Sequence, residues 1–143
     1  MKVQVQDPAR EAWILLRDIA FVMKERIFAI ASEFDLAPMQ VHALRTLEPG
    51  QEVPMSTLAG TLHCDPSNIT GITDRLEARG LIERRSSPLD RRVKLLALTS
   101  EGEAVRDRIS EAIDVPPPEI ESLSRADQRA LRDLLRRAAG EDA

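Results

Sequence analysis

Apolar residues recur at helical spacing along most of this chain, and only a short region after Gly80 has the pattern of strands. The longest helical stretch runs from Ala9 to Ser32, contains neither proline nor glycine, and is apolar over more than one face. We expect this helix to begin at Asp7-Pro8, because proline suits the first helical position. A helix that is apolar on several faces is buried on several sides, so it packs against a partner subunit or forms the centre of a monomeric core.

Three shorter helical patterns follow. One begins at Pro38 and stops at Glu48-Pro49-Gly50, one covers Met55 to Leu62, and the third begins at Asp65-Pro66. We expect the Asp65 carboxylate to cap the third helix by accepting hydrogen bonds from its first N–H groups. Gly80 follows the last apolar position of this helix, as glycine does where helices end. A short helix, a tight turn and a second helix together indicate a helix-turn-helix arrangement.

The third of these helices has one apolar and one polar face. Ile69, Ile72 and Leu76 recur at helical spacing and predict its buried side. The opposite face carries short, mostly neutral hydrogen-bonding groups and an arginine: Ser67, Asn68, Thr70, Gly71, Asp74 and Arg75. Short side chains allow a helix to approach base edges in the major groove. A glycine inside a helix costs about 1 kcal/mol of stability relative to alanine. Its presence on the polar face therefore indicates close approach of another surface. The alternative is an ordinary amphipathic helix in which this position is merely less stable.

Two short strands with a basic connection follow this helix. Leu81 and Ile82 begin the first strand, and the second runs from Val93 to Leu98 with apolar side chains on both faces. Between Arg75 and Lys94 the chain has seven basic and three acidic side chains, a net charge of +4, whereas the whole chain carries −4. This local excess indicates a surface for a polyanion. The alternative is an ordinary basic hairpin exposed to solvent.

The connection ends in Asp90-Arg91-Arg92. Asp90 and Arg92 are two positions apart, so in an extended arm they lie on the same side. We expect the carboxylate to hold the guanidinium in a fixed orientation through charge-assisted hydrogen bonds. A fixed arginine at a hairpin tip suits the minor groove, whose negative potential attracts it. Arg91 then faces elsewhere and meets phosphate.

The remainder of the chain predicts further helices that prolines divide. Thr99 or Ser100 begins the first of them, and Ser100-Glu101-Gly102-Glu103 fits a capping box. Pro116-Pro117-Pro118 cannot continue a helix, so the chain bends there. Ser124 caps a last helix that ends at Gly140.

Composition narrows the class of protein. A chain of 143 residues with 43% apolar and 31% charged side chains has the size and composition of one soluble domain. Tyrosine is absent and aromatic residues make up 3%, so stacking platforms for single strands are missing and duplex DNA is favoured. Cys64 is the only cysteine, which fits a reducing compartment. Since no apolar run suits a membrane span and the N-terminus lacks an apolar signal core, we expect a cytoplasmic protein.

Catalytic and metal-binding patterns are missing from the sequence. There is no nucleophile motif of the G-x-S-x-G type and no phosphate-binding loop. His42 and His63, the only histidines, are 21 positions apart, with no second ligand type at metal-binding spacing. We therefore expect no enzyme activity, no metal and no cofactor, and whether Cys64 senses oxidants stays open.

Three motifs, in order, resemble the MarR (multiple-antibiotic-resistance regulator) family. They are Leu76-Glu77-Ala78-Arg79-Gly80-Leu81-Ile82-Glu83-Arg84, Asp90-Arg91-Arg92 and Leu98-Thr99-Ser100-Glu101-Gly102. The resemblance implies a winged-helix transcriptional regulator in which the wing aspartate, here Asp90, orients the wing arginine, here Arg92. It covers nearly the whole chain in order and length. Ala37 departs from it, because family members usually have a serine or threonine cap at that position.

The resemblance also implies a homodimer and a pocket for small phenolic or aromatic effectors between the dimerisation helices and the winged helix. By position, the lining residues would be Trp13, Arg17, Phe21, His42 and Arg45. A buried aromatic pocket with a cation suits an aromatic carboxylate. The alternative is that Trp13 and His42 belong to the core or to a subunit interface.

These observations predict a mainly α fold with a small β-hairpin wing, in which a winged helix-turn-helix core is combined with N- and C-terminal helices that form a dimerisation stalk. The single domain would span residues 1–143, with the core at about 36–99 and the dimerisation helices at about 8–33 and 100–140.

The predicted function is a ligand-responsive homodimeric repressor that binds an inverted-repeat duplex through recognition helix 66–79 and wing 84–92. The predicted DNA-binding residues are Ser67, Asn68, Thr70, Gly71, Arg75, Arg84, Asp90, Arg91 and Arg92. The alternatives are a ligand-independent DNA-binding or architectural protein and a winged-helix protein-interaction module.

Overall fold

The computed structural model describes residues 7–141 as a mainly helical chain with three short strands. The helices are α1 (Pro8–Glu33), α2 (Pro38–Thr46), α3 (Met55–Thr61), α4 (Pro66–Ala78), α5 (Ser100–Asp114), α6 (Pro118–Glu121) and α7 (Arg125–Ala139). The strands are β1 (Val53–Pro54), β2 (Ile82–Ser86) and β3 (Lys94–Leu98). The predicted fold class, mainly α with a small β-hairpin wing, is confirmed.

Several helix ends lie where the sequence signals predict them. Asp7 Oδ1 accepts the N–H of Ala9 at 3.0 Å at the start of α1, and Ser124 Oγ accepts the N–H of Asp127 at 3.1 Å at the start of α7. Gly140 ends α7 in the left-handed conformation, with φ of +75°. These three ends are confirmed because the predicted side chain or glycine satisfies the backbone there.

Asp65 is the N-cap residue of α4, as predicted, but the predicted hydrogen bond from its side chain is wrong. Asp65 occupies the N-cap position with an extended backbone, but its carboxylate makes no capping hydrogen bond. Its main-chain carbonyl accepts the N–H of Ile69 at 3.0 Å instead. Pro66 contributes no N–H to the first turn, but neither does Pro8 in α1, where Asp7 caps the helix, so the proline does not account for the difference.

Of the two residues predicted to cap α5, Thr99 or Ser100, Thr99 is the cap, and it takes the place of the capping box predicted from Ser100. Thr99 Oγ1 accepts the N–H of Gly102 at 3.0 Å and donates to the carbonyl of Gly80 at 2.6 Å. The hydroxyl of Thr99 can do both because it is donor and acceptor at once. It therefore links the turn after α4 to the start of α5.

The strands form one antiparallel sheet in the order β1-β3-β2. β2 pairs with β3 along its whole length, with Ile82 opposite Leu98, and Val53 of β1 lies opposite Leu96. The sequence pattern predicts β2 and β3 but not β1, because two residues, one of them proline, show no detectable alternation. The central strand β3 is buried from Leu96 to Leu98, as its apolar side chains on both faces predict.

One apolar cluster joins helices α1 to α5 and the sheet around α4. Its largest fully buried side chains are Leu44, Leu47, Leu58, Leu76, Leu81, Ile82, Leu96 and Ile109. Burial of one such side chain contributes about 1.5–3 kcal/mol, so the cluster holds the inner face of α4 firmly. The outer face of α4 is left for solvent or for a ligand.

The chain divides into two compact units after Ile113. The first contains α1 to α4, the sheet and nearly all of α5. In the second, the Gln128 side-chain amide donates to the carbonyls of Ile120, Glu121 and Leu123 at 3.3, 3.2 and 3.1 Å, which ties α7 to α6. The single domain with a stalk formed by both ends of the chain stays a prediction.

Candidate nucleic-acid interface

α4 presents the predicted polar face on the outside of the first unit. Ile69, Thr73 and Leu76 are buried, and the helix packs against α2, α3 and β2. The exposed residues include all members of the predicted DNA-binding set on this helix: Ser67, Asn68, Thr70, Gly71 and Arg75. The apolar pattern does not predict Thr73 as an inner residue. Its hydroxyl donates to the carbonyl of Ile69 at 2.9 Å, which satisfies a polar group in the core.

The space beside Gly71 is open. Apart from the backbone of α4 itself, no atom of residues 7–141 lies within 4 Å of the position that a Cβ would occupy there. Packing inside the chain therefore does not require this glycine. The open space is what close approach of another molecule to the helix backbone would need.

The wing tip is a turn rather than the extended arm predicted for Asp90 and Arg92. The N–H of Val93 donates to the carbonyl of Asp90 at 3.0 Å, and Asp90 Oδ1 accepts the main-chain N–H of Arg92 at the same distance. The Nε of Arg92 lies 4.0 Å from Asp90 Oδ1, and the Arg92 side chain is 95% exposed. Asp90 thus fixes the backbone of the turn by an Asx-type hydrogen bond and holds the guanidinium only loosely.

Several cations of the basic segment are already paired. The Arg79 guanidinium donates to the carbonyls of Phe34 and Asp35 at 2.9 and 2.7 Å, which ties the end of α4 to the α1–α2 connection. Arg85 is paired with Glu83 at 2.6 Å and with Glu52 at 2.7 Å. The hydrogen bond to Glu83, followed by that to Glu52, raises the pKa of Arg85 above its ordinary value. The side chains of these two arginines therefore already have partners within the chain.

Arg84, a predicted DNA contact, is paired too. Its guanidinium forms an ion pair with Asp74 and lies 3.5 Å from Glu77 Oε1, both on α4. Only 21% of its side chain is exposed. The side chain of Arg84 therefore faces α4 rather than the outside of the molecule, and its predicted contact with DNA stays a prediction.

Three arginines of the predicted surface remain available for an anion. Within the described part of the chain, the side chains of Arg75 and Arg91 have no hydrogen-bond or ion-pair partner, and the side chain of Arg92 has only the 4.0 Å contact with Asp90. Arg75 extends from the polar face of α4, whereas the other two lie at the wing tip. The sequence predicts the positive charge of this region, but only the pairing shows which charges are free.

The five predicted effector-binding residues do not line one pocket. His42 and Arg45 line a cleft of about 460 Å³ between α1, α2 and the end of α5. Trp13, Arg17 and Phe21 are not among its lining residues. Trp13 and Phe21 are 65% and 64% exposed, so the expected buried aromatic wall is absent from this chain by itself.

Residues nearer the C-terminal end of α1 take their place. Ala20, Met23, Lys24, Ile27 and Phe28 form one wall of the cleft, and the Lys24 ammonium lies 6.0 Å from the centre of the Phe28 ring. These residues recur at helical spacing in the sequence, as residues on one face of a helix do. This wall lies about two turns further toward the C-terminal end of α1 than the residues predicted to bind an effector, and the effector-binding residues stay a prediction.

Metal clusters and membrane-spanning helices are both absent from the residues that the structure describes. No group of three or more histidine, cysteine, aspartate or glutamate side chains suitable for a metal ion occurs between residues 7 and 141. In the same range, no helix has the length and apolar content that a membrane crossing requires.

Known proteins similar to this chain are described as transcriptional regulators. The model of the MarR family matches residues 36–94, from the α1–α2 connection to the start of β3. The HTH-type transcriptional regulator FarR of Neisseria gonorrhoeae is 34% identical over 107 residues, which cover 74% of this chain and 73% of FarR. The uncharacterized HTH-type transcriptional regulator YhbI of Bacillus subtilis is 34% identical over 86 residues. That match covers 59% of this chain and 56% of YhbI, so the chain spans little more than half the length of that relative.

Structural similarity extends over nearly all of the chain. A MarR family protein from Bacillus stearothermophilus superposes with a TM-score of 0.81 at 26% identity, covering 93% of this chain and 94% of that protein. The helix-turn-helix and the wing therefore have the same arrangement as in a solved member of the family. Together with the FarR match over about three quarters of both chains, this shows that the chain belongs to the MarR family.

Proposed function

We propose that this chain is a homodimeric transcriptional repressor that binds an inverted-repeat DNA duplex through α4 and the wing. We further propose that a small aromatic or phenolic acid releases it. Membership of a family of transcriptional regulators supports the general role. The residues that we propose to contact DNA are those on the exposed face of α4 and at the wing tip.

The observation that carries the proposal is the combination of a slim helix face with free guanidinium groups. The outer face of α4 has short side chains and an open glycine, so its backbone can come close to base edges. Arg75 stands on that face, and Arg91 and Arg92 stand at the wing tip with free or loosely held side chains. These groups suit phosphate and the narrow minor groove.

A homodimer is supported by the apolar surface of α1. Exposed large apolar residues on this helix are Trp13, Leu15, Leu16, Ile19, Phe21, Val22 and Phe28. Contiguous exposed apolar surface of this kind marks an interaction site. In a two-fold dimer the two α4 helices would lie about 34 Å apart, one turn of B-DNA, so the operator would be an inverted repeat.

The cleft between α1, α2 and α5 supports the proposed effector. Its walls are mostly apolar, and Lys24 and Arg45 bring positive charge to it. An apolar cleft with convergent cationic groups suits a small aromatic carboxylate or a phenolate. Since the cleft joins α1 to the helix that precedes the helix-turn-helix, a bound molecule there would alter the spacing of the two DNA-reading heads.

Gel-shift titration of a selected duplex tests the DNA contacts. We expect Arg92→Ala to weaken binding at fixed salt by about tenfold, because it removes a free arginine from the wing tip. Asp90→Ala should weaken binding as well, although it removes a negative charge, because the turn that carries Arg92 loses its Asx hydrogen bond. The matched control is Arg129→Ala, an exposed arginine of α7 whose removal changes the net charge equally.

Equal affinity of wild type and Arg92→Ala would remove the wing from the interface. Tighter binding by Asp90→Ala would mean that this carboxylate merely repels phosphate. Failure of the wild-type chain to bind any duplex would favour a protein-interaction module, with the basic wing meeting an acidic partner.

A further inference from the structure

We propose that Arg84 is a positioning residue that fixes α4 to the wing, and that it does not itself bind DNA. The inference rests on the proposed function, since it concerns how the DNA-reading helix is held. The observation behind it is that one guanidinium from β2 serves two carboxylates of α4, those of Asp74 and Glu77.

Strand geometry explains why this arginine faces the helix. Side chains alternate between the two faces of a strand, so Arg84 lies on the same face as Ile82, whose side chain is buried in the core below α4. The neighbouring Arg85 lies on the opposite face with Glu83 and pairs with it and with Glu52. Arg84 and Arg85 are adjacent and identical in type, but they face opposite sides of the strand and therefore have different partners.

Helix geometry explains the two carboxylates. Asp74 and Glu77 are three positions apart on α4, so they are neighbours on one face of the helix. Arg84 Nη2 donates to Asp74 Oδ1, while its buried Nε lies 3.5 Å from Glu77 Oε1, an ion-pair distance without a hydrogen bond. Within residues 7–141, neither carboxylate has another basic partner. The planar guanidinium can face both at once, which an ammonium group on a flexible chain does less well.

Electrostatics gives the arrangement its consequence for DNA binding. Asp74 is next to Arg75 in sequence and is 57% exposed, so its carboxylate stands near the surface that would meet phosphates. An unpaired carboxylate there would repel DNA. Pairing with Arg84 neutralises much of the Asp74 charge and orients its carboxylate toward the wing. The same contact fixes the angle between α4 and β2, and hence the distance between the two elements that read the duplex.

The test compares four variants with wild type on two duplexes over a series of salt concentrations. The duplexes are one selected from a random pool and one unrelated sequence of equal length. The variants are Arg84→Gln, Arg84→Lys, Asp74→Asn and the control Arg85→Gln, whose side chain is paired away from α4. Thermal unfolding establishes that each variant is folded at the temperature of the titration.

We expect Arg84→Gln to lower affinity for the selected duplex about tenfold and affinity for the unrelated duplex by less, because the unpaired carboxylates repel both duplexes whereas the lost alignment of α4 and the wing affects only the selected one. The slope of the logarithm of the association constant against the logarithm of salt concentration should stay at the wild-type value, because the number of neutralised phosphates stays the same. Arg84→Lys should resemble Arg84→Gln, and Asp74→Asn should also weaken specific binding. Arg85→Gln should behave as wild type. A role in overall stability alone would not change the ratio of specific to unrelated binding.

Two results would overturn the inference while leaving the proposed function intact. One is a salt slope that is smaller for Arg84→Gln by about 0.9 per protomer, the value for one phosphate, with the slope retained in Arg84→Lys. The other is tighter binding by Asp74→Asn. If the wild-type chain binds no duplex at all, the proposed function fails and the inference fails with it, and the two kinds of failure are thereby distinguished.

Discussion

Gly71 and Gly102 show how differently two glycines can serve the same winged-helix unit. Gly71 lies mid-helix on α4 with open space beside it, so nothing within the described chain explains the absence of a side chain. Gly102 lies in the first turn of α5, where a Cβ would overlap the carbonyl group of Leu81. The first glycine therefore suits an external contact, and the second is required by internal packing.

Gly71→Ala should change stability and DNA binding in opposite directions. Alanine in a helix interior is favoured over glycine by about 1 kcal/mol, so the free energy of unfolding in urea should rise by about that amount. Affinity for a selected duplex should fall, because a methyl group keeps the backbone away from the base edges.

Gly60→Ala is the matched control for this substitution. Gly60 is an exposed helical glycine of α3, also with open space beside it. The variant should gain some stability, though less than Gly71→Ala because Gly60 is next to the last residue of α3, and it should keep its affinity. If both variants bind as wild type does, α4 does not approach the bases at Gly71.

Gly102→Ala should destabilise the protein by about 1–3 kcal/mol, the usual cost of overpacking a well-packed core. The overlap is with backbone atoms, which cannot rotate away as a flexible side chain could. The midpoint of urea unfolding measures the effect. A midpoint equal to that of wild type would mean that α5 does not begin against Leu81.

At the scale of the elements, local signals in the sequence predict most of the fold. Proline, serine, threonine and glycine at helix ends, together with apolar periodicity, give α1 to α5 and α7 within a few residues. The sequence does not predict β1, because its pairing depends on β3, which is far away along the chain. Asp65 makes no capping hydrogen bond although Asp7 makes one in the same Asp-Pro pattern, and of the two predicted caps of α5, Thr99 or Ser100, it is Thr99 that caps the helix.

Pairing of side chains across elements is the part of the site that the sequence could not show. The basic composition between Arg75 and Lys94 predicts the charge, but Arg79, Arg84 and Arg85 are paired. Alternation along β2 from the buried Ile82 does place Arg84 on the inner face, so that part of the signal is present in the sequence. The carbonyl partners of Arg79 lie in the α1–α2 connection and have no local signal.

α1 should mediate self-association through its apolar face. Ile19 is 53% exposed there, and a glutamate in its place would be buried without a partner in a dimer interface. Ile19→Glu should therefore dissociate the dimer, as measured by sedimentation equilibrium. Gln51→Glu is the control, because it makes the same change in net charge at an exposed position outside α1. Equal self-association of the two variants would place the dimer interface elsewhere.

At the scale of the whole molecule, a net charge of −4 coexists with a local cationic surface. Binding to DNA should therefore depend on a few arginines rather than on overall attraction. Arg75, Arg91 and Arg92 in each protomer would make up to six contacts in a dimer. At about 0.9 per contact, the association constant should fall with salt at a logarithmic slope of roughly −5. A slope near zero, measured by titration at several salt concentrations, would contradict a phosphate-based interface.

Selection of bound duplexes from a random pool tests the central claim most directly. Two α4 helices related by two-fold symmetry, each with a wing, should enrich an inverted repeat whose half-site centres lie about 10 base pairs apart. Enrichment of a sequence without two-fold symmetry, or no enrichment over the starting pool, would contradict the account.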